Sequence, residues 1–280
     1  MRKRIGLLAL FLMAVIVLSL AAVAPTPWAD NDDEDDNDGN GIPFEEANIF
    51  FELNNTDGDL GIHALVDGDA WQKLEIEDPN GHKILDIKIK KSLKKQGLTE
   101  LFFESAEPTF DELSPEEFFL RFPEGEYEFE GETVEGDELE STAELTHVMP
   151  APPAPTVNGL PMAVQCDPDK PGFDITQTSA PVTIAWPEVT MSHPDPNGGG
   201  AGVQPPVPVV IHNYEVVVEV EVELNGDTFT SVLNVVLPPN VTSFEVPEDF
   251  TDLGEEFKYE VLAREESFNQ TAVESCFEVE

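Results

Sequence analysis

The stretch TDLGEEFKYEVLARE, residues 251–265, decides how the C-terminal half of this chain is read. Leu253 stands alone in an acidic turn, and Tyr259 follows six positions later at the entry to the strand-like run FKYEVLARE. A tyrosine there can bury its ring between two sheets while its hydroxyl satisfies a backbone group of the preceding loop, the arrangement known as a tyrosine corner. Leu253 and Tyr259 are therefore the expected corner, and an antiparallel sandwich is the expected setting.

The flanking sequence agrees. Trp186 lies on an early strand in VTIAWPEV, Tyr214 on a middle strand in HNYEVVVEV, TSFEVPED precedes the corner, and ESCFEVE closes the chain. Proline, glycine and asparagine turns separate these runs, as in antiparallel sandwiches. As an ordered set, the motifs resemble a fibronectin type III domain over roughly residues 151–280. The resemblance implies a seven-stranded sandwich used for binding, spacing or adhesion, normally without catalysis. Two departures from the family pattern stand out. The segment before Trp186 is long and carries Cys166, and TMSHPDPNGGGAGVQPPVP, residues 190–208, makes a long loop. His193, Asp195 and Asn197 on that loop are candidate binding residues, since sandwiches commonly bind through loops; simple tolerance of a long loop is the alternative. No RGD is present.

The N-terminal half has the same strand texture but resembles no characterised family. NIFFELN, GIHALVDG, QKLEIEDPNG, HKILDIKIKK, TELFFESA, GEYEFEGETV and ELESTAELTHV are short β-favouring runs, and DPNG at 78–81 is a hairpin signal. Ser114, Pro115 and Glu117 supply an N-cap, a first-turn proline and a capping-box acid, so SPEEFFLRF predicts one short helix that turns Phe118 and Phe122 inward. In KILDIKIKK the expected inner face is Leu85, Ile87 and Ile89, with lysines guarding an edge. The predicted fold class is all-β: two consecutive β-sandwich domains, the second fibronectin type III-like. The domains span 44–148 and 160–280, joined by a proline-rich linker at 149–159.

MRKR, the apolar run from Ile5 to Ala24 and APTPWAD read as a secretory signal cut after Ala29, with an uncleaved N-terminal anchor as the alternative. The expected location is therefore secreted, periplasmic or cell-surface. Residues 30–43 form an acidic Asp/Asn/Gly-rich segment. The chain carries 57 acidic and 14 basic residues; loss of residues 1–29 removes Arg2, Lys3 and Arg4, leaving 11 basic residues and a net charge of −46. Such a surface repels phosphate backbones and anionic lipid, which argues against nucleic-acid partners and against membrane contact beyond the N-terminal segment. A protein or glycan is the expected partner. Cys166 and Cys276 are an even pair in an exported chain and read as a disulfide, with buried free thiols as the alternative.

The sharpest chemical candidate is DNDGNGIPFEEA, residues 36–47. Asp36, Asp38, Asn40 and the Ile42 carbonyl are spaced to converge on calcium, as in thrombospondin type 3 and EF-hand-like loops, which the series resembles. Glu45 and Glu46 offer the carboxylate, but position twelve is Ala47, so the bidentate ligand is out of register; a solvated acidic spacer is the competing reading. The catalytic inventory is thin. The five histidines form no HExxH or HxH, no GxSxG occurs, and GGGAG at 198–202 lacks the lysine of a phosphate cradle. The expectation is a non-catalytic interaction or structural protein that requires no cofactor and has calcium as its candidate ion. A carbohydrate-binding accessory module is a further alternative.

Overall fold

A computed structural model of the protein describes residues 41–194 and 206–280. The predicted signal segment and Asp36, Asp38, Asn40, Asp195 and Asn197 lie outside the described residues. Among the described residues no helix is long and apolar enough to cross a membrane.

The first half contains β1 (Glu46–Asn54), β2 (Asp59–Glu77), β3 (Lys83–Lys88), α1 (Lys91–Gln96), β4 (Leu98–Glu104), α2 (Pro115–Phe119), β5 (Gly125–Thr133) and β6 (Glu138–Leu145). Strand β2 organises this half. Its first part pairs with β1 and β4 and its second with β3 and β5, with register shifts between Asp67 and Trp71 and between Trp71 and Lys73. One long strand thus serves both layers. Between them lies a core of Phe51, Leu53, Ile62, Trp71, Leu74, Ile76, Tyr127 and Phe129.

Local chemistry sets the details. The DPNG turn closes with Gly81 N donating to Asp78 O at 2.8 Å, and Gly81 takes φ 75°, a region that disfavours side chains. The Ser114 hydroxyl caps α2 by accepting from Glu117 N, and Phe118 is buried as the helix pattern predicts. Leu85 and Ile87 pack on the core and Ile89 is buried, but β3 ends at Lys88, and α1 begins where the sequence suggested continued strand. The lysines around β3 converge on buried Glu75: Lys73 Nζ and Lys83 Nζ lie 2.6 and 2.7 Å from Glu75 Oε2. Hydrogen bonds from Lys73 and Lys83 hold that carboxylate at about 2.

The second half contains β7 (Thr156–Val157), β8 (Leu160–Pro161), β9 (Thr176–Thr178), β10 (Val182–Ala185), β11 (Ile211–Leu224), β12 (Asp227–Leu237), β13 (Ser243–Val246), α3 (Glu248–Thr251), β14 (Glu256–Glu265) and β15 (Gln270–Val279). The sheet β13–β10–β7–β8 faces the order β12–β11–β14–β15. Val157, Ile184, Trp186, Tyr214, Val218, Tyr259, Val261 and Phe277 fill the space between. This is an immunoglobulin-type sandwich, the fold that the fibronectin type III resemblance implies. Its first strand starts within the proline-rich segment at Thr156, just after Pro155. Cys166 and Cys276 form a disulfide, Cα–Cα 5.8 Å, pinning the long segment before Trp186 to β15, where β9 also pairs.

The two cores share one sheet. Strand β1 pairs in parallel with β15 through Glu52–Gln270, Leu53–Thr271 and Asn54–Ala272, so a single ladder runs β12–β11–β14–β15–β1–β2–β5–β6.

Closing a loop across 110 positions constrains the unfolded chain by about 4 to 5 kcal/mol in the chain-entropy model. Full reduction should therefore lower the melting temperature by several degrees in scanning calorimetry. An unchanged temperature would mean that the β9–β15 pairing alone holds this segment.

Candidate functional site

Alternation along β1, β11, β14 and β15 places one set of residues on the sheet face turned away from both cores. Glu52, Glu215, Glu260, Leu262, Arg264 and Gln270 belong to this set, and all but Arg264 are buried. A polar chain crosses the strands. Asn234 Nδ2 donates to Glu215 Oε1 at 2.7 Å, and Arg264 reaches Glu215 Oε2 at 3.3 Å and Gln270 Oε1 at 2.7 Å. Gln270 Nε2 donates to Glu52 Oε2 across the β15–β1 seam. Beyond the seam stands His63, 1% exposed, with Nδ1 3.7 Å from Glu52 Oε2 and Nε2 3.2 Å from Glu107 Oε1. His63, Glu104 and Glu107 each offer an atom able to ligate a metal, and these atoms lie within 4.8 Å of one another.

Carboxylates outnumber cations here, and the balance shows in their protonation. Burial, then Glu52, Glu274, Glu215 and Glu219, push Glu260 well above the ordinary range. Burial and the nearby Asp57 raise Glu274 to about 7, against the hydrogen bond from Asn54 Nδ2 at 2.7 Å.

Asn269 fastens the seam. It is fully buried just before β15; its Oδ1 accepts from Phe51 N at 2.8 Å, and its Nδ2 donates to Thr146 O at 2.8 Å and Val148 O at 3.1 Å. One side chain thereby links β1, the end of the first half and the β14–β15 turn. Thr271 Oγ1 adds a bond to Pro150 O at 2.7 Å.

The residues singled out in the sequence fall in several places. His193 is not displayed on an open loop: it is 4% exposed, its N–H donates to Met149 O at 2.7 Å, and its Nε2 lies 3.0 Å from Asn55 Oδ1. It is a clasp between the halves, because the loop start folds back onto the seam. Tyr259 buries its ring as expected, but its hydroxyl bonds to no backbone group and Leu253 is 41% exposed. The polar group beside that hydroxyl is Ser275 on β15, and burial pushes the Tyr259 phenol up to about 12. Two other tyrosines perform the loop-holding role. Tyr214 OH accepts from Val189 N at 2.8 Å beside Trp186, whose ring meets Tyr214 edge-on at 5.3 Å; Tyr127 OH donates to Pro123 O at 3.1 Å. The Ile42 carbonyl, assigned to calcium, accepts from Glu140 N at 2.9 Å because Ile42 bridges to Leu139. Glu45 is exposed, and Glu46 enters β1 opposite Asp67.

No protein-family model matches the chain, and no curated protein matches it. Solved structures similar to it include the fibronectin(III)-like modules of CbhA from Clostridium thermocellum, 11% identical, covering 88% of this chain and 92% of that one at a TM-score of 0.26. A tetra-tandem repeat from the extending region of a large adhesion protein is 11% identical over 84% of this chain and 50% of that one, TM-score 0.24. The BSP domain of a biofilm-associated protein is 10% identical over 84% of this chain and 29% of that one, TM-score 0.22. The fold is established by strand order and by the two cores.

Two outcomes are expected. Asn269→Ala leaves the Phe51 amide and two carbonyls without partners and should cost about 2 to 4 kcal/mol in denaturant unfolding, since each buried unsatisfied group costs about 1 to 3. The raised acids act on pH in the unusual sense. Glu274 keeps its proton up to about 7 in the folded state, whereas the unfolded chain releases it near 4.5, so stability falls as pH rises across that window. Melting temperature should drop between pH 5 and 8, and Glu274→Gln should flatten the drop; an equal slope in the variant would remove this assignment.

Proposed function

We propose that the protein is an exported, non-catalytic interaction or structural module that holds a protein or glycan partner at the cell envelope or outside it. The observation that carries this reading is the continuous sheet: the β1–β15 ladder makes one body of two sandwich cores, suited to presenting loops at fixed positions rather than to closing around a substrate. The disulfide supports an oxidising location. A net charge of −43 supports a partner with a basic or neutral face. Among the described residues both tryptophans, Trp71 and Trp186, are buried, at 0% and 4% exposed, so neither offers a flat ring for stacking on a sugar.

A glycan array and a cross-linked pull-down from envelope material, run side by side on the mature chain, test the proposal. A saturable partner retained at physiological salt is the expected result. Hydrolysis of any polymer in a broad panel, abolished by changing one carboxylate, would overturn the non-catalytic assignment.

A further inference from the structure

We propose that His63, Glu104 and Glu107 form a binding site for a divalent transition-metal ion, with His63 as the buried nitrogen ligand and the two carboxylates as oxygen ligands at its mouth. The topology sets the three together. His63 on β2 pairs in register with Glu104 on β4, so the two side chains leave the same face of the sheet. Glu107, three residues past Glu104, returns over Gly61. A Cβ at position 61 would meet Glu107 Oε1 at 2.4 Å and Cγ at 2.8 Å, so the missing side chain makes room for this carboxylate against the imidazole.

The nitrogen turned toward the carboxylates is His63 Nε2, 3.2 Å from Glu107 Oε1, so an ion would take the place of the proton shared there; Nδ1 faces the other way, toward Glu52 Oε2 at 3.7 Å, in a residue 1% exposed. Phe50 and Phe102 hold the ring edge-on at 5.4 and 5.7 Å, which fixes the direction of its nitrogens. The ligand atoms lie within 4.8 Å of one another, whereas neighbouring ligands at about 2.0 to 2.2 Å from a tetrahedral ion sit roughly 3.4 Å apart, so the carboxylates must swing inward by about an ångström to complete the set.

Burial runs from enclosed His63 through half-buried Glu107 to exposed Glu104, so the site opens toward solvent on the Glu104 side. An imidazole with two carboxylates suits zinc and its neighbours, whereas calcium takes an all-oxygen shell. A bound ion would also offset the excess of negative charge beside the seam. This site uses none of the residues of the acidic segment at 36–47.

The test uses the mature chain, freed of metal with a chelator, titrated with zinc by calorimetry and with cobalt(II) as a visible-absorption probe. One equivalent is expected, with cobalt absorption in the range of a low-coordinate site and no displacement by millimolar calcium. Glu104→Gln combined with Glu107→Gln should weaken zinc at least about tenfold, and His63→Gln should abolish the cobalt band. Should His63→Gln fail to fold, the paired glutamate variant decides, because those side chains are exposed or half-buried. Absence of binding, or an affinity that changes less than tenfold in the paired variant, overturns the site and places any bound metal on other carboxylates.

Discussion

Three residue pairs between β1 and β15, secured by the buried amide of Asn269, turn two sandwiches into one body. Parallel pairing so short is weak alone, because its few backbone bonds must offset the ordering of both halves. Asn269 changes that balance by taking both an amide proton and two carbonyls out of water and giving each a partner within one side chain. His193 against Asn55 and Thr271 against Pro150 extend the same logic to either side. The chain thus returns to its own N-terminal strand at the point where a flexible linker would otherwise set the angle.

The same seam concentrates charge. A sheet face that lies against neither core is normally wet, yet here Glu52, Glu215 and Glu260 are buried among one another with Arg264 as the principal cation. Carboxylates in this position must hold protons, hydrogen-bond to amides such as Gln270, or attract a counter-ion. The acidity of the chain is therefore a structural variable at the seam and not only a solubility feature of the surface.

The legibility of the fold followed the range of the interactions involved. Most strands, the DPNG turn and the cap of α2 depend on neighbours a few positions apart and match the structure; the exceptions are β2, which runs through two of the expected strands, and α1, which replaces the end of a third. The corner pattern points to Leu253 and Tyr259, and the structure gives that role to other tyrosines. Tyr259 is buried, but the hydroxyl bonds to loops belong to Tyr214 and Tyr127, whose partners Val189 and Pro123 carry no distinguishing side-chain signal. His63, Glu104 and Glu107 were passed over because histidine and carboxylate so far apart form no motif, and acids are too common here for any two to stand out.

By itself the sequence determined the all-β class, the two apolar cores and the sign of the charge, because each follows from composition, a period of two or a count, while the pairing of Cys166 with Cys276 was settled by the fold. Only the tertiary structure decided that the cores share one sheet, that His193 is a clasp, and which carboxylates face an imidazole. Those outcomes depend on pairing β1 with β15 across more than two hundred residues, and such a contact leaves no trace in the order of its neighbours.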